Sequence, residues 1–357
     1  QVTLDPAQAA FVDLFMLEKV ESFSGLDPWI ERLASALSPE RRQMNHVVIN
    51  GLYFALLPTK RYASFPDYVD DLALQPPETW IERMLDAYDR MEPANGTGEE
   101  PGRSEILEDV DLYLAYLRRR FSDEMVDEDV ERQVHAWMGA PKFMQEVVID
   151  HLRTMWIEHL AAAWQRNLPL LEECLSAFGQ ADWPTGSNVE IVRWVTGQEL
   201  NAWYESEVNA AKSIRLVPSA HVGPYLGVIP GGETIWIVFG ARLPAGMVSG
   251  RSALNRSDLL MRLSALADGN RLQMLELLVE HDELCAQDLI ERLDLSQSSA
   301  SRHLRQLSAS GYVLERRQDS AKCYRLHREQ VESTLIALDR FFGLRSPGAV
   351  EESIAAD

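Results

Sequence analysis

The stretch that decides the fold of the last third of the chain is "LSQSSASRHLRQLSASGYVLERRQDSAKCYRL", residues 295–326. Ser296 is a typical helix N-cap, and apolar residues follow it at helical spacing. The residues that this spacing turns inward are Ala300, Leu304 and Leu307. Gly311 lies just beyond the helix, and residues 312–326 then predict two strands around a turn at 319–320.

The residues on either side complete a recognisable order of elements. Residues 256–293 predict three helices, of which the last, 284–293, is short, and residues 328–342 predict a final amphipathic helix. The turn 294–296 joins the helix 284–293 to the helix 296–309. Two short helices joined by a tight turn and followed by a β-hairpin form a winged helix-turn-helix. Its second helix enters the major groove of DNA.

The first turn of the helix 296–309 is polar and carries one charge, that of Arg302. Short hydroxyls allow close approach to DNA, glutamine pairs bidentately with adenine, and arginine pairs with guanine. His303 and Arg305 are expected to point outward one step further on. Arginine and lysine in the hairpin suit phosphate contacts, which supply affinity rather than specificity. The alternative interpretation is a Ser-rich surface helix on an ordinary α-helical domain.

Residues 257–345 resemble the DNA-binding domain of the ArsR/SmtB family of bacterial repressors. "LSALADGNRLQMLELL" (263–278) resembles the family's opening Leu-Ala-Asp-Pro-x-Arg helix pair, with Gly269 in place of the proline. Residues 295–326 resemble its recognition helix and wing. The resemblance covers about a quarter of the chain and implies repression, relieved by a ligand, by a homodimer on pseudo-palindromic double-stranded DNA. The DNA contacts that it implies are Gln297, Ser298, Ser299, Ser301, Arg302, His303, Arg305, Arg316, Arg317 and Lys322.

The segment "ELCAQDL" (283–289) occupies the place of the metal box of this family, Glu-Leu-Cys-x-Cys-Asp-Leu. Gln287 stands where the second thiolate would be, so we expect no metal site and no cofactor here. Cys285 is expected to be a small buried hydrophobe, and an improvised site with His281 and Asp282 is the alternative. The three cysteines are odd in number and widely spaced, which argues against disulfides. Nothing in the sequence brings Cys323 near Cys285.

The remainder of the chain predicts a mainly α fold with small antiparallel β elements. Helical patterns run from about residue 5 to 180, and short β-rich runs at 213–220, 225–229 and 234–240 predict a small antiparallel sheet. We therefore expect an α-helical N-terminal domain with a short β-sheet, and a C-terminal winged helix-turn-helix. The expected divisions are a domain 1–245, a linker 246–256, a DNA-binding domain 257–345 and an acidic tail 346–357.

The charge distribution separates the two domains. The net charge is −21, and residues 1–250 hold 20 Lys/Arg against 38 Asp/Glu, whereas residues 251–345 hold 14 of each. Phosphates would repel the front part as a whole, whereas the back part could be a nucleic-acid surface if its positive charges are gathered on one face. The N-terminal domain, residues 1–245, is larger than dimerisation requires, which favours a small-molecule effector site within it. His221 and Tyr225, expected to be exposed, are its candidate residues.

No catalytic motif is recognisable, so we expect no enzyme. No leader and no run of 18 apolar residues is visible, so a cytoplasmic protein without membrane contact is expected. The prediction is a homodimeric DNA-binding regulator, a repressor, with helix 296–309 in the major groove and wing 315–325 on the backbone. An unknown effector, rather than a metal, would control it. Two alternatives stay open: an interaction module with a degenerate helix-turn-helix, and an enzyme domain fused to a DNA-binding domain.

Overall fold

The computed structural model describes residues 1–91, 101–122, 125–198, 200, 202–244, 253–318 and 321–343. The predicted acidic tail, residues 346–357, and residues 246–252 of the predicted linker lie outside the described residues. The N-terminal helices are α1 (Pro6–Leu17), α2 (Pro28–Ala36), α3 (Pro39–His46), α4 (Tyr53–Leu56), α5 (Phe65–Leu74), α6 (Pro77–Asp89), α7 (Arg103–Glu108), α8 (Val110–Arg120), α9 (Glu128–Met138), α10 (Pro141–Met155), α11 (Ala161–Gln180), α12 (Asn188–Thr196) and α13 (Ala202–Ala210). Short π-helical turns follow α3 at Val47–Gly51 and α10 at Trp156–Leu160.

Local sequence signals account for where many of these helices begin. Asp27 precedes Pro28, and its carboxylate accepts a hydrogen bond from the Trp29 N–H at 2.7 Å. Proline at the first helical position needs no N–H partner, and the capping carboxylate satisfies one of the free donors of the first turn. The same arrangement of cap and proline starts α1 after Asp5 and α3 after Ser38.

The small sheet of this domain contains strands β1 (Ser213–Ser219), β2 (Gly227–Gly231) and β3 (Thr234–Gly240), in the order β1-β3-β2. Strands β2 and β3 form an antiparallel hairpin, and Gly232 turns between them with φ +70°. The sheet is not purely antiparallel, since β1 pairs in parallel with β3. The loop after β1 reverses the chain and delivers β2 to the far side of β3, which leaves β1 and β3 running the same way.

Two clusters of buried apolar side chains form the interior of this domain. The larger one gathers residues from α1 through α10 together with parts of the sheet. The second lies between α11, α12 and the buried face of β1 and β3. Trp164 of α11 packs against both clusters, so one helix joins the helical array to the sheet.

The C-terminal part is a winged helix-turn-helix, as the sequence predicts. Its elements are α14 (Ala253–Leu266), α15 (Gly269–Glu280), β4 (Leu284–Cys285), α16 (Ala286–Leu293), α17 (Gln297–Ala309), β5 (Val313–Gln318), β6 (Ala321–Leu326) and α18 (Arg328–Phe342). The strands form an antiparallel sheet in the order β4-β6-β5. Ala300, Leu304 and Leu307 are buried as predicted, whereas α14 begins at Ala253, inside the stretch expected to be linker.

The two parts of the chain contact each other. Helix α11 packs beside α14, and Ala309 at the end of α17 packs against the larger N-terminal cluster. Arg242 donates a hydrogen bond to the Thr196 carbonyl at 2.9 Å, and both residues face Met261 and Ser310 across a small cavity. Among the described residues, no helix has the length and apolar character that a membrane crossing requires.

Candidate nucleic-acid interface

The turn between α16 and α17 presents the start of α17 at the surface. Asp294 ends α16 in the left-handed region, with φ 50°, which a short polar side chain tolerates better than a branched one. Ser296 then caps α17, because its hydroxyl accepts a hydrogen bond from the Ser299 N–H at 3.2 Å. The other N–H groups of the first turn have no carbonyl within the helix to bind, so this end of α17 suits an anion such as a DNA phosphate.

The first half of α17, residues 297–302, exposes the polar side chains that the sequence assigns to DNA. Gln297, Ser298, Ser301 and Arg302 are exposed, and Ser299 is half-buried. Helical spacing of about 100° per residue places Ser298, Ser301 and Arg302 on the side away from the buried apolar residues, and Gln297 is exposed as the first residue of the helix. They offer amide, hydroxyl and guanidinium groups, the chemistry that reads base edges in the major groove.

The wing carries its positive charges in exposed ion pairs. Arg316 lies 2.7 Å from Glu283, and Lys322 lies 2.8 Å from Glu315. Exposed pairs of this kind contribute little to stability, so exchanging their carboxylates for phosphates costs little. The side chain of Arg317, also predicted to contact DNA, lies outside the described residues.

His303 does not point outward as expected, because the structure buries it between α17 and α15. Its Nδ1 lies 3.4 Å from Arg271 Nη1 and 3.7 Å from the Asp268 carboxylate. Burial, together with the nearby arginine, lowers the pKa of His303, so the ring is neutral at physiological pH. The angular position explains the error: His303 precedes Leu304 and falls on the inward side of the helix.

Arg305 lies on the outer side of α17, but the N-terminal domain already contacts it. Its guanidinium donates a hydrogen bond to the Ser22 carbonyl and stands 5.0 Å from the centre of the Phe23 ring. Both residues belong to the turn that connects α1 to α2, residues 18–25, which we call the cap segment. Sequence reasoning missed the cap segment, since no local pattern marks it and Ser22 is 283 positions from Arg305.

The two candidate effector residues are buried rather than exposed, which corrects the expectation. His221 donates from Nδ1 to Asp13 at 2.9 Å, and its ring stacks on Trp29 at 4.2 Å. Burial opposes the charged form of His221, but the Asp13 carboxylate outweighs this effect and raises its pKa. Tyr225 donates to the Ser24 carbonyl at 2.6 Å, and burial raises its pKa to about 12. Both side chains therefore contact the region from the cap segment to the start of α2.

An open cleft of about 400 Å³ lies elsewhere in the N-terminal domain, between α3 and α10. Its lining residues are Arg41, Met44, Phe143, Glu146, Val147, Asp150 and His151. The His151 side chain is buried, and its Nε2 donates to the Asn45 side-chain oxygen at 3.2 Å. Neither His221 nor Tyr225 lines this cleft, so the sequence placed its effector candidates at a different part of the domain.

Cys285 is not an isolated buried hydrophobe, because it forms a disulfide with Cys323. The expectation that no disulfide forms and that nothing brings these two residues together is wrong. The two-residue strand β4 pairs with β6 and sets Cys285 directly opposite Cys323. Gln287 donates to Glu291 on the same helix. Among the residues that the structure describes, no group of three or more His, Cys, Asp or Glu side chains has the arrangement of a metal site.

Comparison with known proteins points to one family. The model of the bacterial regulatory proteins of the arsR family matches residues 268–314, which contain α15, α16, α17 and the start of β5. The arsenic resistance transcriptional regulator ArsR1 of Pseudomonas putida is 44% identical over 64 residues, which are 18% of this chain and 50% of ArsR1. The transcriptional activator HlyU of Vibrio cholerae is 34% identical over 88 residues, which are 25% of this chain and 81% of HlyU.

A solved structure of HlyU from Vibrio cholerae N16961 covers 26% of this chain and 98% of its own, at 33% identity and a TM-score of 0.22. The chain spans about half the length of ArsR1 and most of the length of HlyU. The larger part of the chain, which includes the cap segment and the mixed sheet, lies outside the residues that the family model matches.

Proposed function

Because the chain belongs to the ArsR family of bacterial regulatory proteins, we propose that it represses transcription by binding an operator as a homodimer. The observation that carries this proposal is the exposed polar first half of α17, capped by Ser296 and flanked by a cationic wing. As a regulator it would act on DNA in the bacterial cytoplasm, and the relatives named above are regulators rather than enzymes. Residues 257–345 would bind DNA, and residues 1–245 would control that binding.

The proposed contacts divide into base reading and phosphate binding. Gln297, Ser298, Ser301 and Arg302 would face base edges, with Ser299 supporting the approach of the helix start to a phosphate. The wing residues Arg316, Arg317 and Lys322 would bind backbone phosphates. Since His303 is buried, its proposed role is to hold α17 in place against α15.

We propose that the second copy docks on α14 and α18. These helices pack against each other and leave large apolar side chains exposed, namely Leu260, Leu335, Ile336, Phe341 and Phe342. Large exposed apolar side chains mark an interface where they form one patch. A second copy of the chain can bury the same surface about a two-fold axis, and this symmetry matches a pseudo-palindromic operator.

Control is proposed to act through the N-terminal domain rather than through the metal box. Cys285 is tied to Cys323, and Gln287 supplies no thiolate. His221 and Tyr225, in contrast, contact the region that reaches α17. An effector that acts on them would therefore alter the contacts of the recognition helix. Arsenite, zinc and cadmium are expected to leave DNA binding unchanged. Release by one of these metals that is lost in Cys285→Ser would contradict this part of the proposal.

The test of the proposed function begins with selection of bound sequences from random DNA by the full-length protein. Binding of the selected sequence is then measured by fluorescence anisotropy. Arg302→Ala is expected to weaken binding roughly 10- to 100-fold, the loss of one bidentate base contact. Arg328→Ala removes an equal charge from the exposed start of α18 and is expected to bind as the wild type does. Failure to enrich any sequence, or equal affinity of Arg302→Ala, would refute the DNA-binding assignment.

A further inference from the structure

The outer surface of α17 is continuous from its first turn to its last. Positions 298, 301, 302 and 305 are three or four residues apart, so their side chains lie in adjacent rows on one side of the helix. The buried residues Ala300, Leu304 and Leu307 lie on the other side. Arg305 therefore belongs to the same surface as Ser301 and Arg302, the surface that faces DNA in the proposed function.

The cap segment contacts the second half of this surface at Arg305, which remains exposed, and at Gln306, which is buried. Besides the Arg305 contacts to Ser22 and Phe23, the neighbouring Gln306 is buried against Gly25. An added Cβ on Gly25 would clash with the Gln306 side-chain nitrogen, so the cap segment and α17 are in close contact there. Ala309, one turn further on, packs against the N-terminal core.

Residues of the N-terminal domain hold the cap segment in place. The Phe23 ring lies 4.3 Å from the Tyr225 ring, and the Tyr225 hydroxyl binds the Ser24 carbonyl. At its other end, the Glu18 carboxylate binds the side chains of Asn45 and His46. A segment fixed at both ends and stacked in the middle presents a defined surface to α17 rather than a loose tail.

DNA and the cap segment require the same space. Helix α17 has 13 residues, so it is about 20 Å long, whereas the major groove is about 12 Å wide. The cap segment stands on the outer side of the helix, where the groove wall would lie. The Ser22 carbonyl also occupies part of the Arg305 guanidinium, so fewer of its five N–H donors are left for a phosphate while this contact holds.

We propose that the N-terminal domain inhibits DNA binding in this chain by docking the cap segment on the second half of α17. The inference rests on the proposed DNA-binding function and adds its regulation. The first half of α17 stays open to probe DNA, and full insertion of the helix requires the cap segment to leave Arg305 and Gln306. An effector that bound the N-terminal domain and displaced the cap segment would raise DNA affinity. An effector that stabilised the segment would lower it.

The test uses the full chain and the DNA sequence selected by the wild type. Phe23→Ala removes the ring under Arg305 and is expected to increase DNA affinity roughly 3- to 30-fold, the range of one partly desolvated cation–π contact. Phe23→Tyr keeps the ring and is expected to bind as the wild type does. Phe143→Ala, which removes an exposed aromatic ring from α10 away from α17, is the control for general effects of losing a phenylalanine.

A second pair of variants tests the same contact without an aromatic residue. Gly25→Ala inserts a methyl group against Gln306 and is expected to increase DNA affinity, whereas Gly232→Ala carries a similar positive-φ strain with nothing within 4 Å and is expected not to. Wild-type affinity in both Phe23→Ala and Gly25→Ala, with folding intact by circular dichroism, would overturn the inhibition while leaving the DNA-binding function standing. Absence of DNA binding in every variant would refute both.

Discussion

The two halves of α17 share one outer surface but have different surroundings. Gln297, Ser298, Ser301 and Arg302 are open to solvent, whereas Arg305 is bound by Ser22 and Phe23, and Gln306 is buried against Gly25. The difference shows that the direction in which a helical side chain points does not determine what it contacts. Arg302 and Arg305 have the same chemistry and nearly the same direction, yet Arg305 is bound to a residue from the other end of the chain.

The largest expected effect comes from placing a negative charge in the open half. Ser298→Glu is expected to weaken DNA binding by roughly 100-fold or more, because a carboxylate that meets DNA in a close interface is repelled by several kcal/mol. The same change favours the helix, whose N-terminus attracts negative charge. Thermal unfolding should therefore show unchanged or slightly higher stability. Ser298→Gln, similar in size and uncharged, separates repulsion from crowding, and equal losses in both variants would contradict a charge effect.

Arg305→Ala provides the next largest effect and connects the two halves. In the wild-type background it removes a phosphate contact and also an anchor of the cap segment, so the two effects oppose each other and the net loss is expected to be below about threefold. In the Phe23→Ala background the ring contact is already lost and only the hydrogen bond to Ser22 remains, so the loss of the contact to DNA dominates and Arg305→Ala is expected to weaken binding about tenfold. Equal losses in the two backgrounds would show that the arginine and the cap segment are not coupled.

What the sequence predicts well in this chain is set by signals within a few residues. The Ser296 cap, the inward Ala300, Leu304 and Leu307, and the hairpin that follows are local, and each is confirmed. The cap and proline before α2 and the hairpin of β2 and β3 are local as well. Periodicity, however, assigned His303 to the outside of a helix whose neighbouring position, Leu304, was correctly assigned to the inside.

The other features that the sequence did not predict depend on pairing over long distances. The parallel partner of β1 and the disulfide between Cys285 and Cys323 follow from strand register, which only the folded sheets define. His221 and Tyr225 look like loop residues, but packing against Asp13, Trp29 and the cap segment buries them. Ser22 and Arg305 lie near opposite ends of the chain, and a contact over such a distance leaves no local pattern in the sequence. Only the folded structure reveals it.

A smaller effect is expected in the wing, where the open surface continues. Lys322→Ala should weaken DNA binding only a few-fold. In a plot of the logarithm of the binding constant against the logarithm of the salt concentration, however, the magnitude of the slope should fall by about 1, because one phosphate contact is lost. The slope comes from anisotropy titrations at several salt concentrations. Arg328→Ala should keep the wild-type slope. An unchanged slope in Lys322→Ala would place this side of the wing away from the DNA backbone.

The smallest expected effect concerns the anchor of the cap segment. His46 lies between Glu18, at 2.7 Å, and Asp127, at 3.1 Å, and the hydrogen bond to Glu18 raises its pKa to about 9. Because the folded-state pKa exceeds the unfolded value of about 6.5, the folded protein holds an extra proton between these pH values. The stabilisation is complete below pH 6.5 and is lost as the pH rises through about 9.

Urea denaturation of the wild type and of His46→Gln at pH 6 and pH 9 tests this anchor. Relative to His46→Gln, the wild type should lose at most about 1 kcal/mol more unfolding free energy from pH 6 to pH 9, since solvent screens a partly exposed pair. Glutamine keeps a hydrogen bond to Glu18 but does not titrate, so other groups cancel in the comparison. If the cap segment depends on this anchor, the DNA affinity of the wild type rises from pH 6 to pH 9 relative to that of His46→Gln. Parallel pH profiles of DNA affinity in the two proteins would show that the segment is held by Phe23 and Tyr225 alone.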